Sequence, residues 1–280
     1  MRLLTIILGC LLVHAAQAKE EVLRAELISE AATVAPGQRF FVGLHLQHPE
    51  GTHTYWKFPG IVGLATRIEW SSLEGVKIGK IQWPAPQKVM MAKYQAQGYE
   101  GETLLMCPVT LLPGFQAKTL TLNAKVSWMH CGKTCHPATD QPFSISLPVG
   151  EVAEANALNE LLFKKFQAKI PTTSNEFKTI SAKRKADKII ITLEPVLAIR
   201  DPFWNDHPPV RFFTSDGQVD SDQDQEIQVS PEGVIVMTLS ASTTGPKNPK
   251  TLPGVIEIPT GKAPRNLEIN PVYLTGLAAP

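Results

Sequence analysis

The stretch TLTLNAKVSWMHCGKTCHPATDQPFSISLPV, Thr119 to Val149, holds the clearest pattern in the chain. In its first ten residues Leu120, Leu122, Ala124, Val126 and Trp128 fall on one face, and Thr121, Asn123, Lys125 and Ser127 on the other. That period of two is the mark of a half-buried β-strand. Phe143 to Val149 alternates again, so Cys131 and Cys135 are expected in the turn between two strands. His130 stands immediately before the first cysteine and His136 immediately after the second.

Outward from this hairpin the apolar segments stay short, punctuated by 23 prolines and 19 glycines, which favours β structure. RFFVGLHLQ, Arg39 to Gln47, opens the strand pattern. One helical pattern stands out in EVAEANALNELLFKKFQAKIP, where Val152, Leu158, Leu161, Leu162 and Phe166 recur at helical spacing before Pro171 stops it. Beyond it DKIIITLEP, VRFFTSDG, GVIVMTLSAS and LPGVIEIP are strand candidates between polar loops. The expected architecture is all-β: a first β domain over residues 19–150, a linker helix over 151–171, and a second, smaller β-sandwich-like domain over 172–280 without cysteine.

The start of the chain bears on which thiol chemistries are open. Met1 and Arg2 give a basic start, Leu3 to Val13 is apolar, and Ala16, Gln17, Ala18 have the small-x-small form of a cleavage site. Residues 1–18 are therefore expected to be an export signal and Lys19 the first mature residue. ILGC, Ile7 to Cys10, resembles a lipidation motif, but the apolar run continues past it to the better site. No stretch approaches the roughly 18 consecutive apolar residues of a membrane-spanning helix.

Removing the signal leaves equal numbers of acidic and basic residues, so there is no electrostatic case for nucleic acid or an anionic membrane as partner. It also leaves Cys107, Cys131 and Cys135: one pair with a leftover thiol, or a reactive set.

Several chemistries fit Cys131 and Cys135. A bond closing so short a loop constrains the unfolded chain by only roughly 2 kcal/mol, which makes it a poor stabilising staple, although a permanent hairpin clip stays open. Accessible, strained disulfides exchange readily, and His130, His136 and Lys133 could favour a thiolate. Cys-x-x-x-Cys-His is one residue longer than the usual haem attachment motif. With Met129, the set His130, Cys131, Cys135 and His136 offers soft ligands for Cu(I), although neighbouring strand residues point to opposite faces. Cofactor-free exchange with copper as the alternative is the expectation.

Cys107, in the apolar TLLMCPVTLL, reads as a buried inert thiol, with Pro108 marking an edge or bulge. Trp56, Trp70, Trp83 and Trp128 read as core. His45 and His48 read as solvated surface, and nothing near His53 and Tyr55 in the sequence pairs a nucleophile with a base. No phosphate loop, zinc-protease helix or serine elbow occurs, so nucleotide chemistry, zinc proteolysis and serine hydrolysis lack support.

From about Ala31 to Val149 the chain resembles the N-terminal periplasmic domain of the DsbD-type thiol:disulfide interchange proteins, especially the branch named for suppression of copper sensitivity, ScsB. The resemblance runs in order through APGQRFFVGLHLQHPEGTHTYW, FPGIVGLATRIEW, IQWPAP, GYEGETLLMCPVTLLPG and KVSWMHCGKTCHPA. VRFFTSDG and LPGVIEI resemble that branch's following β domain more weakly.

The resemblance implies an immunoglobulin-like sandwich, a periplasmic location and a protein-disulfide reductase type of electron transfer through a Cys131 and Cys135 dithiol/disulfide pair; the sequence does not order the two cysteines. It also implies that KVMMAKYQAQGY is a cap loop in which Tyr94, or else Met90 and Met91, shields the pair. Electrons would come from a separate membrane-embedded donor and pass to thioredoxin-like periplasmic partners. A non-catalytic adaptor of two β-sandwiches is the remaining alternative. Two departures stand out: the cap-like segment has no acidic residue between Met90 and Tyr99, and His136 occupies a position where an apolar residue commonly precedes the proline.

Overall fold

The structure, a computed structural model, describes residues 22–173, 177–196, 210–258 and 265–275; the expected export signal lies outside them. Twelve strands precede the helix: β1 (Arg24–Ser29), β2 (Ala31–Thr33), β3 (Arg39–Gln47), β4 (His53–Gly60), β5 (Arg67–Trp70), β6 (Val76–Ile78), β7 (Gln87–Met91), β8 (Tyr94–Glu100), β9 (Glu102–Leu111), β10 (Thr119–Cys131), β11 (Cys135–Pro148) and β12 (Glu154–Ala155). After α1 (Glu160–Gln167) come β13 (Phe177–Lys185), β14 (Lys188–Pro195), β15 (Arg211–Thr214), β16 (Glu226–Val229), β17 (Ile235–Ser240), β18 (Thr251–Ile258) and β19 (Arg265–Thr275).

The first half is an immunoglobulin-like β-sandwich. One sheet runs β1-β3-β9-β6; the other runs β11-β10-β4-β8-β7, with β5 on the flank of β10. The alternation of β10 decides which side faces in: Leu120, Leu122, Ala124 and Val126 are buried, while Thr119, Thr121, Asn123 and Lys125 are exposed. Opposite them, Leu44 and Leu46 of β3 and Leu105 of β9 pack with Trp56, Ala124 and Val126. A second cluster places Val42, Val109 and Leu111 against Leu120, Leu122 and Leu147. Trp56 is fully buried, and Trp70, Trp83 and Trp128 pack against the same core, as their sequence context predicts.

The second half forms one seven-stranded sheet, β15-β18-β19-β13-β14-β17-β16, with β13 and β19 parallel and the other pairings antiparallel. Ile189, Ile191 and Leu193 of β14 and Ile235, Met237 and Leu239 of β17 share one core with Phe212, Leu252 and Ile256, so the sheet folds over on itself. The two halves also share apolar surface: Phe213 and Val255 are buried in the cluster around Trp56.

The helix is shorter than the 151–171 pattern. Glu154 and Ala155 pair with β2 instead, and Val152, Leu158 and Leu161 are exposed. Phe163 and Phe166, one turn apart, are the residues α1 buries, against Leu104 and Met106 on the outer face of β9. The aromatic pair sets the phase because it removes more apolar surface from water than the leucines would.

Two histidines also depart from expectation. His45 is 6% exposed rather than solvated, its ring bridging Glu26 of β1 at 3.2 Å and Glu102 of β9 at 3.0 Å. Lys165 of α1 adds a 2.6 Å contact to Glu102. His48 lies 2.8 Å from both the Gly101 carbonyl and the Thr54 hydroxyl. The flanking strands and the helix cover what one strand alone would leave in water.

Candidate redox site

The β10–β11 hairpin carries the cysteines at its end. Its ladder pairs Cys131 with Cys135 and His130 with His136, and Gly132 N–H donates to the Thr134 carbonyl at 2.9 Å across the turn. Residues directly opposite in an antiparallel pair project to the same side of the sheet. The two sulfurs are bonded, with Cα atoms 4.2 Å apart.

Between Val126 and Trp128 the register shifts, because β11 carries an extra residue there and Asp140 takes a φ of 50°. Ser127 and Asp140 hold the bulge: Asp140 N–H donates to the Ser127 hydroxyl at 2.9 Å. Bulges re-aim the strands beyond them.

Alternation then sorts the neighbours onto two faces. Cys131 is fully buried with Tyr55, Val89 and Ala96, and Val62, Met91, Met129 and the half-buried Cys135 complete that cluster. His130 and His136 lie on the other side, where they line an open cavity of about 640 Å³ with Trp128, Lys133, Pro137 and Val22. Their rings are 6.2 Å apart. The four residues considered for copper therefore divide two and two across the strand pair. Among the described residues, no three His, Cys, Asp or Glu side chains are placed to hold a metal ion.

The cap-like segment is a β-hairpin, β7 and β8 joined through Ala92, which has a φ of 54°. Met91, one of the three cap candidates, has its Sδ 3.5 Å from Cys135 Sγ. Met90 and Tyr94, the other candidates, are 45% and 38% exposed. Lys93 sits 5.4 Å from the Tyr94 ring.

His53 and Tyr55 are neighbours of the pair that the sequence does not announce. His53 pairs with Cys131 across the β4–β10 ladder, and its Nε2 is 3.1 Å from the Tyr55 hydroxyl. Burial, with repulsion from His130, holds the His53 pKa down to about 4, and burial likewise holds His48 down to about 4. Burial, aided by His136, also lowers His130. A 78-residue gap separates His53 from Cys131, and no local pattern in the chain announces their meeting.

Cys107 is free, buried on β9, and burial pushes its thiol up to about 11. In the native protein it is expected to resist iodoacetamide at pH 8 for hours and to react only after denaturant is added. Labelling at the rate of a model thiol under native conditions would show that β9 opens.

A disulfide closing the end of an immunoglobulin-like hairpin, under a second hairpin that covers it, defines a class of thiol-bearing sandwich domain. Residues 21–147 match the family described as thiol:disulfide interchange protein DsbD, N-terminal, and this part of the chain is a DsbD-type N-terminal domain. The N-terminal periplasmic domain of ScsB from Proteus mirabilis shares the fold: it is 18% identical, with a TM-score of 0.63, over 89% of this chain and 93% of that one. A protein of unknown function from Porphyromonas gingivalis W83 aligns over 88% of this chain and 97% of its own at 12% identity, with a TM-score of only 0.26. No curated protein matches. No helix among the described residues is long and apolar enough to cross a membrane.

Proposed function

We propose that the chain is a periplasmic thiol:disulfide exchange protein. It would take electrons from a membrane-linked reductant and pass them to thioredoxin-like periplasmic partners through Cys131 and Cys135. The observation that carries this reading is the asymmetric pair: Cys131 is fully buried, while Cys135 is half-buried at the turn with Met91 of the β7–β8 hairpin 3.5 Å from its sulfur.

In the reductive half of the cycle, a donor thiolate attacks Cys135 Sγ, the bond to Cys131 breaks, and Cys131 leaves as a thiolate that takes up a proton. The donor's second thiol then attacks its own mixed disulfide, releasing Cys135 and leaving the donor oxidised. Two electrons and two protons have moved. Delivery runs in reverse: the Cys135 thiolate attacks the acceptor's disulfide, and Cys131 resolves the mixed disulfide.

The test is the reduction potential of the pair in the full chain, from a glutathione titration quenched by alkylation and read by mass. The expected value lies above roughly −250 mV, among exchangeable couples. A value below roughly −300 mV marks a structural clip and sinks the proposal.

A further inference from the structure

The base of the β7–β8 hairpin packs on its own sandwich through Val89, Ala96 and Tyr99, but its tip has few backbone ties to it. Strand β8 pairs with β4 at Glu100, Tyr99 and Gly98, but the ladder then shifts, and only Ala96 meets β4 again, at Gly60. Toward the tip the side of β8 that β4 would cover is vacant, and β7 forms the edge of the sheet. A tip with so few ladder bonds would be expected to open readily.

The second half of the chain fills the vacancy. Gln95 N–H, next to the tip pair of Met91 and Tyr94, donates to Asp222 Oδ1 at 2.7 Å, and the Gln95 side chain reaches Asp224 at 3.4 Å. The loop bearing Asp222 is itself pinned. Asp222 N–H donates to Asp220 Oδ1 at 3.0 Å, and Asp220 N–H to the Ser240 carbonyl of β17 at 2.9 Å. One step back along β8, the buried Gln97 side chain donates to the carbonyls of Phe58 at 2.6 Å and of Thr214 in β15 at 3.0 Å. The approach is close enough that a Cβ on Gly60 would lie 2.1 Å from Ser221 Oγ.

We infer that the second sheet positions the cap, and that Asp222 is a positioning residue: by holding the Gln95 amide it seats Met91 over Cys135 and sets how readily a thiol reaches the disulfide. The inference rests on the exchange reading. The second sheet then governs access to the redox pair without supplying any group to the chemistry.

The test uses the full chain, its disulfide intact, and dithiothreitol as the thiol. Asp222→Ala is expected to speed reduction by about fivefold, the change in open population that one net hydrogen bond supports. Asp222→Asn keeps an oxygen that can accept from Gln95 N–H, and is expected to reduce at close to the wild-type rate. A merely structural role would lower the melting temperature of Asp222→Ala and leave the rate alone. That outcome, or equal acceleration in both variants, overturns the inference.

Hydrogen exchange on the wild-type protein gives a second measurement that needs no variant. The Gln95 amide is expected to be protected like those of its β8 neighbours, and exchange at the rate of an exposed loop would overturn the inference equally. Both readouts are independent of any partner and of the potential. The clamp can therefore fail while exchange stands, and a potential typical of a structural clip would dismiss exchange while leaving the clamp measurable.

Discussion

A chain carrying Cys131→Ser, reduced and mixed with oxidised glutathione, is expected to gain one glutathione on Cys135 and keep it. Cys135→Ser is expected to gain none on the laboratory timescale. The difference follows from burial: Cys131 has no exposed surface, whereas Cys135 is half-buried at the turn. A thiolate in an apolar enclosure is disfavoured and out of reach, so the two single variants should differ in rate by roughly 100-fold or more. Intact mass after quenching reads the result directly. In both variants the exchange cycle itself should stop, because one sulfur cannot resolve what the other forms. Equal glutathionylation of the two variants would remove any fixed order of attack.

Acid should weaken the fold well before the carboxylates titrate. His48 and His53 are both held down to about 4 by burial, whereas an unfolded imidazole takes its proton near 6.5. Between those values the unfolded chain binds protons that the native protein refuses. Their stabilising contribution is therefore complete above about pH 6.5 and lost progressively as pH falls toward 4. At about 1.4 kcal/mol per unit, His53 alone, 2% exposed, accounts for about 2–3 kcal/mol. The part-exposed His48 accounts for less. Urea midpoints at pH 7.5 and pH 4.5 check this, and His53→Gln should flatten the slope. An unchanged midpoint across that range would mean that the imidazoles are more hydrated than the fold implies.

The parts of the molecule that rest on local periodicity could be read from the chain. Thr119 to Trp128 alternates because one side meets the core and the other meets water, and the hairpin with its cysteine turn follows from that pattern. Strands β14, β15, β17 and β18 carry enough Ile, Val and Phe to stand out as well. Strands β13 and β16 did not: FKTISAKRK and EIQV are polar or short, and pairing with richer neighbours makes them strands.

Of the apolar residues expected on one face of the helix, Phe166 is buried and Leu162 partly so, while Leu158 and Leu161 are exposed; Phe163, outside that set, is the other residue α1 buries, and the β9 surface makes the choice. The site divides in the same way. The pair and the methionines beside it were visible, while His53 and Tyr55 come from a strand whose place beside β10 is a tertiary fact. Asp222 is more distant still: it reaches the cap from 127 positions along the chain.

The burial of Phe213 and Val255 with Trp56 bears on how this protein can be cut. A fragment ending after α1 would keep every residue of the cysteine hairpin, yet it would turn a greasy flank of its own core outward and leave the cap tip without its outside support. Such a piece would tend to stick to itself and to present an artificially open sulfur. Its measured reactivity would describe the truncation more than the protein. The short sandwich that looks self-sufficient in sequence is, in space, a building that leans on its neighbour.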